Sequence, residues 1–329
     1  MKNVNIAIIG AGLIGRRRAS ALPKNANLAI VCDVDKARGE QFAEDFGCLY
    51  ETDWKKVIAN SRIQAIIIST TNNWLATIAA EAIDRDKHVL IEKPGATSMA
   101  ELRTIIAAHK KNPVVAMIGY NHRYHPGLIK AKELVESGKF GGILFVRARY
   151  GHGGRLGYEK EWRFQKNISG GGELMDQGSH LIDLVNYFCG KMETATGFTE
   201  KLFWRSDLED SAFFILKNGK GQIAHLSATC VEWKNIFSFE VMLKTAKIQI
   251  DGLGGSYGRE KLVLYKMKPE MGPPEAQEFV FPEEDLSWSK ENEIFLNRIK
   301  RRDFSDRSLQ DSLYVLKTIE KIYKLKEKL

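Results

Sequence analysis

The run Gly10-Ala11-Gly12-Leu13-Ile14-Gly15 constrains this chain more than any other feature. It follows the apolar run Val4–Ile9 directly and opens a helical pattern over residues 13–22, which Pro23 stops. Glycines at this spacing also mark ordinary turns. Between a strand and a helix, at the head of a βαβ unit, they form a dinucleotide-binding fingerprint. Gly10 allows the tight turn, Gly12 lets the backbone approach a pyrophosphate, and Gly15 lets the helix pack close to the strand. The pyrophosphate is then expected on the amides at the helix N-terminus, at Gly12, Leu13 and Ile14.

The following segments extend that unit. Residues 28–32 read as a second strand ending at Asp33, about 20 residues beyond the glycines, where an acid binds the ribose hydroxyls. Val34 is expected beside it. The carboxylate would repel a 2′-phosphate, so NAD is expected in preference to NADP; Arg38 and Arg16 to Arg18 temper that preference. Ala65–Ile68 is a third strand whose polar end, Ser69-Thr70-Thr71-Asn72, could line the nicotinamide side or cap the next helix. A helix over residues 74–83, a strand over 89–91, a capping box at Ser98 and Glu101, and a strand over 114–118 complete the series. Near-continuous apolar strands separated by helices predict a parallel sheet covered on both faces.

The pattern changes after Tyr120. A helix near residues 128–137 precedes strands over 143–150, 212–216, 221–228, 237–243, 247–250 and 261–265, several of them alternating. A helix over 173–188 interrupts them, and two helices, 290–301 and 308–325, follow. The predicted fold class is α/β: a doubly wound Rossmann domain over residues 1–123, then a substrate-binding and oligomerisation α+β domain over 124–329 with a large, mainly antiparallel sheet.

Two clues carry chemistry. Glu92-Lys93-Pro94 follows a strand, which puts a lysine at the carboxyl edge where ligands bind in such sheets. An ordinary exposed lysine is the plain alternative. The second clue is the segment from Gly170 to Asp183. Its glycine run reads as a flexible entry to a helix, on which Asp176 and His180, four apart, share a face. Asp183 lies near that face. A histidine in a satisfied polar network is the alternative. No compact third ligand accompanies Asp176 and His180, so no metal is expected.

These motifs, with Gly119-Tyr120-Asn121-His122-Arg123-Tyr124 and Trp162-Arg163, occur in an order that resembles the Gfo/Idh/MocA oxidoreductases. Thr70-Thr71-Asn72-Asn73-Trp74-Leu75 departs from the family's usual Thr-Pro-Asn-x-x-His. The resemblance implies that Lys93 stabilises charge on the reacting oxygen, that His180 is the general base or acid, and that Asp176 orients the substrate. It implies that Glu92, Asn121, Trp162 and Arg163 help to hold the cofactor or substrate. Arg123, Tyr124, Arg155 and Tyr158 are further substrate candidates. It also implies a homodimer or homotetramer.

Composition narrows the rest. Four scattered cysteines without a C-x-x-C pair indicate neither a disulfide framework nor a zinc knuckle. The net charge of +8 gathers at Arg16 to Arg18, Arg298 to Arg302 and the tail 317–328. Because the tail charges alternate with apolar residues at helical spacing, a solvated helix face is expected rather than nucleic-acid binding. The charge hints at a phosphorylated or nucleotide-linked sugar. No apolar run suits a membrane span, and Met1-Lys2-Asn3 shows no signal peptide, so a cytoplasmic enzyme is expected. An NAD-dependent glycosidase, which keeps NAD bound and oxidises its substrate transiently to drive elimination, and a non-catalytic NAD-binding regulator are the competing functions.

Overall fold

The computed structural model describes residues 3–326; Met1, Lys2 and Lys328 of the basic tail lie outside the described residues. The chain divides into two units, one running to Tyr120 and including Trp288–Leu316, the other comprising Asn121–Ser287 and the residues from Lys317 onward. The single break expected after residue 123 omits this return of 288–316, because an amphipathic pattern records an apolar face but not its partner.

The first unit runs β1 (Val4–Ile9), α1 (Leu13–Ser20), β2 (Ala26–Cys32), α2 (Lys36–Phe46), β3 (Leu49–Glu51), α3 (Trp54–Ala59), β4 (Ala65–Ile68), α4 (Asn72–Ile83), β5 (His88–Glu92), α5 (Met99–Lys111) and β6 (Ala116–Gly119). All six strands pair in parallel, in the order β3-β2-β1-β4-β5-β6. Every residue of β4 is buried, as a strand covered on both faces requires. Chain direction along the sheet reverses between β1 and β4. That places the carboxyl ends of both strands at a switch point, where open α/β sheets bind ligands.

The sequence reading missed α2, β3 and α3. Helix α2 buries only Gly39 and Phe42, so its apolar period is faint; β3 and α3 are short. The capping box is half formed. Ser98 Oγ accepts the Glu101 N–H at 3.3 Å, but Glu101 turns its carboxylate to the Thr97 N–H and hydroxyl.

The second unit opens with a 3₁₀ turn, Asn121–Tyr124, and continues through α6 (Pro126–Glu136), β7 (Ile143–Gly151), α7 (Lys166–Ser169), α8 (Glu173–Cys189), β8 (Thr194–Glu200), β9 (Ser211–Lys217), β10 (Ile223–Thr229), β11 (Ile236–Leu243), β12 (Ala246–Asp251), β13 (Lys261–Lys266) and β14 (Glu275–Val280). Eight strands form one sheet, β14-β13-β12-β11-β7-β10-β9-β8, parallel only between β7 and β10. Helix α8 packs on β7, β9 and β10. Strand β9 alternates buried and exposed residues, the signature of a sheet with one covered face. Strands β8 and β14 escaped the reading because the first is poor in apolar residues and the second is almost wholly exposed.

Two helices close the chain, α9 (Ser287–Arg301) and α10 (Arg307–Lys326). Phe295 and Leu296 of α9 bury themselves with Ile6, Ile8, Val31 and Leu90. Ser308 Oγ accepts the Ile118 N–H at 2.9 Å, and Ser312 Oγ donates to the Pro94 carbonyl at 2.6 Å. Among the described residues no helix is long and apolar enough to cross a membrane.

Candidate active site

In the first unit the glycine turn is built from three glycines with different reasons. Gly10 sits at φ +105°, and a Cβ there would run into the Ser69 carbonyl. A Cβ on Gly15 would run into the Gly10 carbonyl, so α1 can lie close to β1 only with glycine at that place. Gly12 differs: its φ is −70°, and a Cβ there would meet nothing within 4 Å. No intrachain reason demands glycine at Gly12, and the turn is a cradle that a side chain would fill. Helix α1 opens there without a side-chain cap, so its first amides face outward as anion donors. Leu13 and Val34 are 67% and 84% exposed, apolar surface beside the cradle that a flat ligand could cover. The residues present fit a dinucleotide.

Asp33 directly follows β2 and is buried. Oδ2 accepts the Ala11 N–H at 2.7 Å, Oδ1 accepts the Asp35 N–H at 2.9 Å, and Arg38 donates to both oxygens. Burial works against its ionisation, yet the Arg38 guanidinium and the two amides hold it below the usual carboxylate range. The capping of α2 falls instead to Asp35, which accepts the Arg38 N–H. Of the other arginines expected to temper cofactor choice, Arg16 pairs with Asp45 and Arg18 is fully buried, while Arg17 is exposed on α1.

Ser69 Oγ donates to the Gly10 carbonyl at 2.9 Å and so locks the turn. Thr71 occupies the N-cap position of α4 but makes no capping bond; its hydroxyl meets Asn73 Oδ1 at 2.8 Å. Thr70 bonds the Thr71 carbonyl, and Asn72 is buried at the start of α4.

Glu92, expected near the cofactor, turns inward. Its Oε1 accepts Arg18 Nε at 2.6 Å, Glu291 Oε2 lies 2.7 Å from Arg18 Nη1, and the Trp288 ring lies 4.5 Å from the guanidinium carbon. Gly119 leaves room for this group, since a Cβ there would press on Arg18 Nη2 at 2.6 Å. The next residue, Lys93, is partly exposed at the carboxyl end of β5.

In the second unit, α8 carries Asp176 and His180 one turn apart, His180 buried and Asp176 partly exposed. The glycine run before it is no flexible entry. A Cβ on Gly171 would strike Tyr323 Oη, and one on Gly172 would strike the Glu209 carbonyl. Glu209 Oε1 caps the helix, accepting the Gly172 and Leu174 N–H groups at 3.1 and 3.2 Å and the Tyr323 hydroxyl at 2.6 Å. Gly172 is glycine because the capping glutamate from a distant loop packs against it, Gly171 because Tyr323 does, and Gly170 sits at φ +84°.

The polar candidates around α8 are placed unequally. Arg163 Nε lies 3.3 Å from Asp176 Oδ2, and its guanidinium stacks on Trp162 at 4.8 Å. Tyr158 is buried, with its hydroxyl 3.3 Å from His152 Nε2. Arg155 is largely exposed and pairs with Glu161 at 2.5 Å. Arg123 grips Asp183 with Nε and Nη2 at 2.7 and 2.5 Å, joining the 3₁₀ turn to α8. Asn121 is buried and donates to Ser287 Oγ at 2.9 Å; Tyr124 ends the same turn, partly exposed.

Three residues of this cluster escaped the sequence reading. The His122 ring lies with its centroid 3.8 Å from that of His180, and Tyr150 is edge-on to His180 at 5.9 Å. His152 accepts the Gly154 N–H on Nδ1, which puts its proton on Nε2, facing Tyr158 and Glu173. Burial holds His152 below the usual histidine range, against the pull of Asp176. The only signal in the sequence was position: His122 lies inside the motif after β6, and His152 three residues before Arg155.

A family model described as an oxidoreductase family with an NAD-binding Rossmann fold matches residues 4–120, and the model of the GFO/IDH/MocA C-terminal domain matches residues 128–249. Levoglucosan dehydrogenase of Pseudarthrobacter phenanthrenivorans is 31% identical over 207 residues, 58% of this chain and 52% of that protein. Glucose-6-phosphate 3-dehydrogenase of Bacillus subtilis is 34% identical over 186 residues, 55% of this chain and 53% of that protein. The chain spans about half the length of the curated relatives it matches. A solved structure of levoglucosan dehydrogenase in complex with NADH has the same fold, with a TM-score of 0.88 at 21% identity, covering 98% of this chain and 96% of that one.

Proposed function

The chain belongs to the Gfo/Idh/MocA oxidoreductase family, and on that premise we propose that it moves a hydride between NAD and a CH–OH carbon of a sugar. The observation that carries the reading is Gly12, the one glycine of the turn without a reason inside the protein, at the mouth of an uncapped helix and near Asp33. Relatives that act on levoglucosan and glucose 6-phosphate support a sugar as the substrate.

NAD supplies the hydride acceptor at its nicotinamide. Gly12, Leu13 and Ile14 present amides to the pyrophosphate, Asp33 takes the ribose hydroxyls, and Val34 and Leu13 cover the adenosine side. Ser69, Thr70, Thr71 and Asn72 line the strand end towards the nicotinamide. Lys93 places a cation on the substrate oxygen and favours its loss of a proton. His180 takes that proton from the hydroxyl, or returns it in the reverse direction. Asp176, steadied by Arg163, accepts a hydrogen bond from a neighbouring hydroxyl and fixes the sugar's orientation. Trp162, Tyr158 and Tyr124 supply further surface to the substrate.

A phosphorylated or nucleotide-linked sugar is the reading that the net charge of +8 suggests. Arg123, Arg155 and Arg163 are already committed to Asp183, Glu161 and Asp176, so an uncharged sugar ranks first. The test is the appearance of NADH absorbance when purified protein and NAD meet a panel of free sugars, inositols, sugar phosphates and nucleotide sugars. Turnover of a free sugar supports the reading, turnover of phosphorylated sugars alone reverses the ranking, and absence of any NAD binding overturns it.

A further inference from the structure

Four large apolar side chains stand exposed on neighbouring loops of the second unit: Leu156, Leu202, Phe203 and Trp233, at 102%, 61%, 54% and 62%. The loops that carry Leu202, Phe203 and Trp233 are held in place by the fold. Buried Asp210 accepts the Leu202, Phe203 and Trp204 N–H groups, at 3.0, 2.8 and 2.9 Å, and so fixes that loop from beneath. Trp204 Nε1 donates to the Cys230 carbonyl at 3.0 Å. Trp233 itself sits at φ +56°, a backbone region costly for a bulky residue. It packs against Gly153, where a Cβ would come within 2.9 Å of its Cα. The Phe203 and Trp233 rings meet edge to face at 4.6 Å. A sequence that spends strain and a buried carboxylate on holding apolar rings out in water points to a ligand for them.

The aromatic contacts continue inward. Phe203 is edge-on to Trp204 at 5.1 Å, Trp204 to Tyr158 at 5.9 Å, and Tyr158 to His152 at 5.2 Å. The Glu232 N–H donates to the His152 carbonyl at 3.0 Å, which ties the Trp233 loop to the end of β7. His152 Nε2 lies 3.8 Å from Glu173 Oε1, on the helix that carries Asp176. These ring contacts link Tyr158, assigned to the sugar, to the exposed rings. Arg155 pairs with Glu161, while the exposed cations Lys201, Arg205 and Lys234 flank the rings in the chain; what the rings themselves offer is an apolar face for another ring.

We propose that Trp233 and Phe203 form a subsite for a second ring joined to the reacting sugar, so that the preferred substrate is a glycoside. This rests on the sugar reading above. A flat ring, either the apolar face of a pyranose or an aromatic aglycone, covers the Trp233 face and stacks beside Phe203.

The test measures binding, without cofactor or turnover. The full chain is titrated with methyl glycosides, phenyl glycosides and disaccharides of glucose, galactose and N-acetylglucosamine, observed by saturation-transfer NMR. The expected result is about tenfold tighter binding of ring-bearing glycosides than of methyl glycosides, with the strongest transfer to the second ring. Trp233→Ala and Phe203→Ala should each abolish the difference while methyl-glycoside binding stays, and Trp233→Phe should keep most of it. Preference for phenyl glycosides alone assigns an aromatic aglycone; preference for disaccharides assigns a second sugar. Equal binding of all forms, no binding of the ring-bearing forms, or a preference that survives both alanine variants overturns the proposal. So does a change of oligomeric state in Trp233→Ala, which would assign the rings to a second copy of the chain. Glycoside preference without hydride transfer would leave the subsite standing and remove the oxidoreductase reading; turnover of free sugars without that preference would do the reverse.

Discussion

The guanidinium of Arg38 lies on both oxygens of the Asp33 carboxylate, Nε 3.2 Å from Oδ2 and Nη2 2.8 Å from Oδ1. With the Ala11 and Asp35 amides also bonded, the four acceptor directions of the carboxylate are all in use. A ribose hydroxyl must displace Arg38 to reach them. Arg38→Ala should therefore tighten NAD binding, by about threefold to tenfold, and weaken NADP binding by at least as much, because the cation that would meet a 2′-phosphate is gone. Titration of both cofactors by fluorescence reads the two affinities. A loss of NAD affinity in this variant would mean that Arg38 is a cofactor ligand and not a competitor.

Gly10 and Gly12 separate stability from binding. A Cβ at Gly12 meets nothing within 4 Å among the described residues, so Gly12→Ala should leave the melting temperature within about 2 °C while NAD affinity falls about tenfold or more. Gly10→Ala forces a side chain into the Ser69 carbonyl at φ +105° and should destabilise the first unit instead. Parallel effects in the two variants would remove the case for a ligand at Gly12.

Exchange of His180 for Asn should lower turnover about 10²–10⁴-fold and leave NADH affinity unchanged, as expected for a lost proton acceptor. Lys93→Met should act alike. Stopped-flow measurement of NADH formation, beside equilibrium NADH binding, tests both. Retained turnover in either variant would withdraw the role given to that residue.

The buried group of Arg18, Glu92 and Glu291 gives a stability prediction. The Arg18 and Glu291 side chains have no exposure to solvent, so Arg18→Ala strands two carboxylates in the interior. The expected loss is about 3–5 kcal/mol, read by urea unfolding. A loss under about 1 kcal/mol would show that water reaches the group.

His152 sets a pH dependence. Burial lowers its pKa below the ordinary 6.5, so the unfolded chain binds the proton more readily than the folded one. The stabilising contribution is complete above pH 6.5 and is lost as pH falls from there through the folded value. Thermal unfolding from pH 8 to pH 5 should show that decline, and His152→Gln should make it shallower.

Much of the first unit was legible because its signals are local. The glycine spacing, the fully apolar strands and Asp33 at a strand end lie within a short stretch, and each follows from backbone sterics or strand burial. Helices α2 and α3 were not, since one buries two residues and the other has a single turn and a half of sequence. The pairing of Asp176 and His180 on one helical face also came from spacing alone. The neighbours of that face, His122, Tyr150 and His152, did not, because they arrive from β7 and from the turn after β6.

The sequence by itself determined the dinucleotide turn, the acid that follows it, the change from parallel to antiparallel patterning, and the helix that carries Asp176 and His180. These depend on contacts between residues near one another in the chain, where φ, burial period and helical spacing act directly. Tertiary structure alone decided which charges are spent. It put Glu92 on Arg18, Arg123 on Asp183 and Glu209 at the head of α8, and it returned residues 288–316 to the first unit. A charged side chain carries no mark of its partner in sequence, because ion pairing acts across space between segments that only packing brings together.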